Sequence, residues 1–240
     1  MGIARTPQEI QSLKNIGKKA ILLGVENGYA IGKDLDNIKR FKDLDVVYIT
    51  LCHNGDNDIC DSARGHAEWN GLSPFGKEVI KKMNEEGLMI DLSHAAESTF
   101  YDALENSQYP IIASHSAARA LCDHPRNLTD DQLKALAAKG GVVQLCLYKG
   151  FINEDSEKAS LSDAIRHIEH IVDLIGIDYV GIGSDFDGDG ELIGCRSTNE
   201  LINITTRLLK DGFNENEIAK IWGGNLLRVM SIVQEASSYK

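Results

Sequence analysis

The chain has 240 residues, 42% hydrophobic and 25% charged, with 25 Lys and Arg against 36 Asp and Glu and a net charge of −11. That is enough chain to bury a sizeable core, and it lies near the roughly 250 residues of a (β/α)8 barrel. The acid excess, with no basic cluster, excludes a nucleic-acid surface, and no apolar run reaches the roughly 18 residues of a membrane span. Five cysteines form no CxxC pair. Reduced thiols and a cytoplasmic setting are expected, and the first ten residues lack the apolar core of a signal peptide.

In chain order, Thr6-Pro7-Gln8-Glu9 reads as a capping box opening a helix. An apolar run follows over 20–25, and a second over 46–51. Ser73-Pro74 opens a helix over 75–86, and Gly87 closes it. Runs at 88–92 and 111–113 come next. Thr129-Asp130-Asp131-Gln132 then caps a helix ending at Gly140. The run 141–147 precedes an amphipathic segment, 161–175, stopped by Gly176. The run 179–182 is followed by helical patterns over 200–209 and 225–233. The six runs are apolar on successive residues, the pattern of strands buried on both faces. Alternating strands and helices without a linker predict one α/β domain over 1–240 with a parallel sheet. No GxGxxG or GxxxxGK[ST] follows a strand, so nothing supports nucleotide binding.

Ionisable residues gather where the runs end. The ends read Gly24-Val25-Glu26, Thr50-Leu51-Cys52-His53, Asp91-Leu92-Ser93-His94, Ser114-His115-Ser116 and Gly183-Ser184-Asp185-Phe186-Asp187-Gly188. In parallel α/β folds the strand C-termini converge on the active face. Three histidines with two carboxylates suit zinc, and Mn or Fe less well. The chemistry is hydrolysis through a metal-bound hydroxide, because the ion lowers the pKa of water. A free carboxylate such as Asp185 would shuttle protons. One strand-end histidine is ordinarily structural; three in succession are hard to explain that way.

Other features have plainer readings. The segment 185–190 matches the first six positions of a calcium loop, but position twelve is Arg196 and a strand precedes it, so calcium is rejected. His167 and His170 read as a solvated helix face. His66 and His124 have no evident partner, and Asp56-Asn57-Asp58 reads as a turn. Cys52 and Cys146 read as core thiols.

Taken together with His124-Pro125-Arg126-Asn127 and Trp222-Gly223-Gly224-Asn225-Leu226-Leu227-Arg228-Val229, these strand ends resemble the renal (membrane) dipeptidase family. The resemblance covers essentially the whole chain and implies zinc-dependent dipeptidases on an amidohydrolase-like TIM barrel. It implies that Glu26 bridges two zinc ions and that His94 and His115 ligate the second. His53 would contact the scissile group and stabilise the tetrahedral intermediate. Arg126 would hold the substrate carboxylate through its bidentate fork. Asp185 would pass the proton to the leaving amine, and Tyr148 would line the pocket.

One departure stands out. The family's first strand carries a His-x-Asp pair completing the first zinc site, and this sequence has no histidine before His53. Six βα units are counted, the first resembling the family's third. The expectation is therefore an incomplete barrel of about six units with one or two zinc ions, acting on small dipeptides. The alternative is a truncated, non-catalytic or partner-completed member binding one metal, either as a homo-oligomer or with a complementing chain. An exposed sheet edge would favour such association.

Overall fold

Short β-branched runs and capped amphipathic segments settle into alternating strands and helices. The computed structural model describes residues 1–238. Among them the elements are β1 (Gly2–Ile3), α1 (Pro7–Asn15), β2 (Ala20–Ile21), β3 (Leu23–Glu26), α2 (Asp36–Asp43), β4 (Val46–Thr50), α3 (Pro74–Glu86), β5 (Met89–Asp91) and α4 (Glu97–Asn106). They continue with β6 (Ile112–Ser116), α5 (Asp130–Ala138), β7 (Val142–Cys146), α6 (Lys149–Ile152), α7 (Leu161–Ile175), β8 (Val180–Ser184), α8 (Ile202–Lys210), α9 (Glu215–Ala219) and α10 (Asn225–Ser238).

Strands β3 to β8 form one sheet in sequence order, and β1 pairs with β2 apart from it. Pairing is parallel from β3 to β4, β4 to β5, β5 to β6 and β7 to β8. Sequential parallel strands with helical crossovers are the wall of a TIM-like barrel, and six strands make it incomplete. The chain divides into two compact units, Met1–Ile112 with Leu227–Lys240, and Ala113–Leu226.

In the first unit, Ile49, Leu51, Val79, Ile80, Met83, Ile90 and Phe100 are buried in the core. Helix α3 starts as its sequence predicts: the Gly76 amide donates to Ser73 Oγ at 2.9 Å, with Pro74 in the first turn. Gly87 ends it at φ 70°, a left-handed conformation that costs glycine little. At α1 the Glu9 amide donates to Thr6 Oγ1 at 3.2 Å, while the Glu9 carboxylate accepts from the Arg5 amide at 2.7 Å. The run 20–25 is not one strand buried on both faces. It splits into β2, which joins β1, and β3, whose Gly24 and Glu26 are exposed. The reason is position: β3 is the last strand of its sheet at that end.

The sequence signals neither α2 nor α4, and neither helix begins with a side-chain cap. Only Ile38 of α2 is buried, so its apolar stripe is one residue wide. Helix α4 buries Thr99, Phe100, Ala103 and Leu104, a helical spacing diluted by its polar residues.

In the second unit, Val142, Val143, Leu145 and Val180 are buried, flanked by Ile165, Ile168 and Ile171 of α7. Helix α7 has the predicted bounds, with Ser160 and Asp163 forming a capping box. Thr129 and Gln132 form the one predicted at α5. Strand β6 runs past its apolar residues to include Ser114, His115 and Ser116. The Asn225 side chain donates to Ile177 O at 2.7 Å and Val180 O at 2.8 Å, which fixes the entry to β8.

Candidate functional site

In the first unit, parallel register brings three strand ends to one level: Glu26 lies opposite Thr50, and Thr50 opposite Asp91. The polar residues beyond those positions therefore emerge at a common edge. Among the described residues, Glu26, His53 and His94 bring one ligand atom each within 4.8 Å of one another. His94 Nε2 lies 3.1 Å and His53 Nε2 3.9 Å from Glu26 Oε1. The two imidazole centroids are 4.3 Å apart, tilted by 41°. Two ligands about 2.1 Å from a tetrahedral zinc lie about 3.4 Å apart, so the donor set fits such an ion in chemistry and spacing.

Two features below the cluster hold it in shape. Thr50 Oγ1 donates to Asp91 Oδ2 at 2.6 Å, and Asp91 Oδ1 accepts the Ser93 amide at 3.1 Å, with Thr50 and Asp91 both fully buried. This buried acid supports the turn that presents His94, whose φ is 71°. Left-handed backbone at a non-glycine residue is strained, and such strain gathers at working sites. Asn27, directly after Glu26, has φ 94°. The long loop after β4 is packed by its own polar side chains. Asp61 accepts the Trp69 and Gly71 amides, and Asp56 accepts those of Ser62 and His66. Asn57 joins the loop to Leu51 O and to Asn27. The segment read as a simple turn is thus the loop's organiser. Asp91 has no role in the sequence reading, although an acid inside an apolar run is the signal that marks it; the roles of Asp56, Asp61 and Ser62 have no sequence signal.

The second unit holds His115, Arg126, Tyr148 and Asp185. His115 is buried at the end of β6, with Nδ1 2.8 Å from Ser114 Oγ. Arg126 is also buried. Its guanidinium donates to His115 O at 3.5 Å and lies 5.2 Å from the Phe151 centroid, a cation–π distance. His124 packs against Phe151 at 4.6 Å and accepts the Arg126 amide at 3.1 Å, so this histidine has a partner after all. Tyr148 meets Phe151 edge to face at 4.8 Å.

Asp185 sits just past β8 with φ 75°, after Ser184 at φ 46°. The Gly188 and Gly190 amides donate back to Asp185 O. A Cβ on Gly190 would come within 2.3 Å of that oxygen, so the loop requires glycine there. The Cys146 thiol donates to Asp185 Oδ2 at 3.5 Å. Burial, and then the Asp185 charge, push the Cys146 pKa far above its ordinary value, so it stays a protonated donor.

His167 is not on a solvated face. It is buried, its Nδ1 accepts the Ala118 amide at 3.1 Å, and its Nε2 donates to Ile152 O at 3.1 Å. Burial pushes its pKa down to about 4. His170 pairs with Asp130 at 2.8 Å. Both are fasteners of the second unit.

The sequence matches the profile of membrane dipeptidases, peptidase family M19, over residues 1–240. It is 34% identical over 240 residues to dipeptidase tcpJ of Claviceps purpurea, covering 99% of this chain and 56% of that one. The chain spans about half the length of the curated relatives it matches. Among solved structures it superposes on the probable dipeptidase PvdM from Pseudomonas aeruginosa with a TM-score of 0.95 at 28% identity, over 98% of this chain and 74% of that one. It superposes on a Rhodobacter sphaeroides metallo peptidase, solved with a phosphinate mimic of the dipeptide L-Ala-D-Ala, with a TM-score of 0.90 at 27% identity, over 96% and 68%. The chain belongs to the membrane dipeptidase family, peptidase family M19.

Proposed function

We propose that this chain is a zinc-dependent dipeptidase that hydrolyses the peptide bond of small dipeptides, including those with a C-terminal D-residue. The observation that carries the reading is the convergence of Glu26, His53 and His94 at three adjacent parallel strand ends, in a chain of this family. The D-residue extends to this chain the ligand of the Rhodobacter relative.

A bound divalent ion supplies Lewis acidity and lowers the pKa of water. Glu26 and His94, with His115 as a further ligand, would hold one or two such ions. His53 donates to the oxygen of the scissile carbonyl as charge develops on it, the kind of electrostatic stabilisation that contributes most to acyl transfer. Asp185 takes a proton from the attacking water and returns it to the leaving amine, general acid–base work by one carboxylate. Arg126 pairs with the substrate's terminal carboxylate, which favours dipeptides over longer chains.

Zinc stoichiometry with a panel of dipeptides tests this reading. Turnover that is lost on chelation and restored by zinc is expected, with L-Ala-D-Ala accepted and tripeptides refused. No turnover with zinc added would overturn it. A second reading, a chain that binds one metal and needs a second copy or complementing chain for turnover, is favoured by the cluster of three donors, Glu26, His53 and His94, which is enough for one ion. Mass measurement in solution, alongside activity of the isolated chain, separates the two.

A further inference from the structure

We propose that Ser62 is a positioning residue for the metal cluster: its single hydroxyl ties the His53 and His94 main chains together and so sets the spacing of the two imidazoles beside Glu26. The inference rests on the proposed metal centre, in which Glu26 and His94 hold the ion and His53 stands beside it.

His53 and His94 are 41 positions apart in the sequence and leave different strands, β4 and β5, so nothing local couples them. Ser62 couples them directly. Its Oγ donates to His53 O at 2.5 Å and to His94 O at 3.3 Å, one proton shared between two carbonyls, and accepts the Arg64 amide at 3.2 Å. The hydroxyl is therefore used as both donor and acceptor, and the residue is only 4% exposed. The contact is reinforced on both sides. The Ala63 amide donates to His94 O at 2.7 Å, Ser62 pairs with Ala95 in an antiparallel bridge, and the Ser62 amide is held by Asp56 Oδ1 at 2.7 Å. His94 itself has left-handed backbone, with φ 71°. Removing the hydroxyl would take this donor from His53 O, leave His94 O with the Ala63 amide alone, and remove the tie between the two histidines. Outer-shell contacts of this kind tune metal affinity by about 10- to 100-fold.

The same loop supplies a control. Thr99 Oγ1 donates to Asp61 O at 2.9 Å and Gly71 O at 3.1 Å. It fastens the loop without touching either histidine. If Ser62 only holds the loop down, removing either hydroxyl should have the same consequence.

The experiment titrates zinc into the parent chain and into S62A, S62C and T99V, and records the visible spectrum of each loaded with cobalt(II). S62A is expected to bind zinc about tenfold more weakly with a changed cobalt spectrum. S62C, a weaker donor of similar size, should fall between S62A and the parent, and T99V should keep the parent spectrum. An S62A variant with parent affinity and spectrum overturns the proposal, as does a T99V variant with an equal loss and the same spectral change. If S62A does not fold, S62C decides: parent-like affinity and spectrum overturn the proposal. A parent chain that takes up no zinc overturns the metal reading and this proposal together. A parent that binds zinc beside an S62A that binds it equally overturns this proposal alone.

Discussion

The two units present their polar groups differently. In the first, Glu26 and His53 keep 45% and 44% of their side-chain surface exposed, and only His94, at 7%, is sunk into the protein. In the second, Arg126 and His115 are buried at 4% and 8% exposure, and Arg126 lies against Phe151. A carboxylate beside two imidazoles, left open, suits a cation that arrives with its own charge and displaces water. A buried guanidinium stacked on an aromatic ring is held in place before any ligand comes, and such preorganisation costs nothing at the moment of reaction. The contrast predicts that damage to Glu26 or His94 should read out as lost metal, and damage to Asp185 or Arg126 as lost turnover or lost substrate.

The largest expected effect tests that split from the second unit. Asp185→Asn should lower dipeptide turnover by about 10²- to 10⁴-fold, the range for general acid–base catalysis, and leave zinc affinity unchanged. Steady-state rates beside a zinc titration measure both. A variant with near-parent turnover would remove Asp185 from its role. The mirror test is His94→Ala. It should weaken zinc binding by more than the roughly 100-fold that marks the upper end for outer-shell partners. Undiminished zinc content by elemental analysis would break the comparison from the first unit's side.

The fold was legible wherever local chemistry decides it. Ser73-Pro74, the Thr129–Gln132 box and the stripe over 161–175 each carry their own start or spacing, and each helix formed there. The strand ends were legible because His94, His115 and Asp185 interrupt apolar runs. Illegible features depend on distant partners. Helix α4 draws its stability from burying Phe100 and Leu104, not from a cap. The solvated-face reading of His167 failed because its partners, Ala118 and Ile152, lie 49 and 15 residues away. Ser62 bonds across 9 and 32 residues. A serine in a polar loop gives no sign of such contacts in one dimension.

His167 sharpens the comparison through pH. Its folded pKa, about 4, lies below its ordinary value of 6.5 because burial disfavours the charged ring. The unfolded chain therefore binds the extra proton first as pH falls. The stability from keeping His167 neutral is full above about pH 6.5 and is lost progressively between 6.5 and 4. A pKa lowered that far corresponds to about 3 kcal/mol. Urea unfolding at about pH 7 and about pH 4.5 should show much of that loss. His167→Gln, whose amide can both accept from Ala118 and donate to Ile152, should flatten the dependence. A slope unchanged in His167→Gln would assign the acid sensitivity to other groups.

The smallest effect separates charge from shape at Arg126. Arg126→Lys keeps a positive charge but replaces a planar five-donor fork with a point charge. If only charge mattered, affinity for a substrate carboxylate would hold. The packing argues that shape matters too: the guanidinium lies over Phe151 and donates to His115 O, and the residue's own amide is bound by His124. An ammonium would lose the stacking and one of two parallel bonds to the carboxylate. A charge-assisted bond contributes about 1.5–3 kcal/mol, part of which the lysine retains, so KM should rise about tenfold. Because the carboxylate is bound alike in ground and transition states, kcat should change far less. A fall in kcat at constant KM would mean that Arg126 acts on the reacting bond rather than holding substrate.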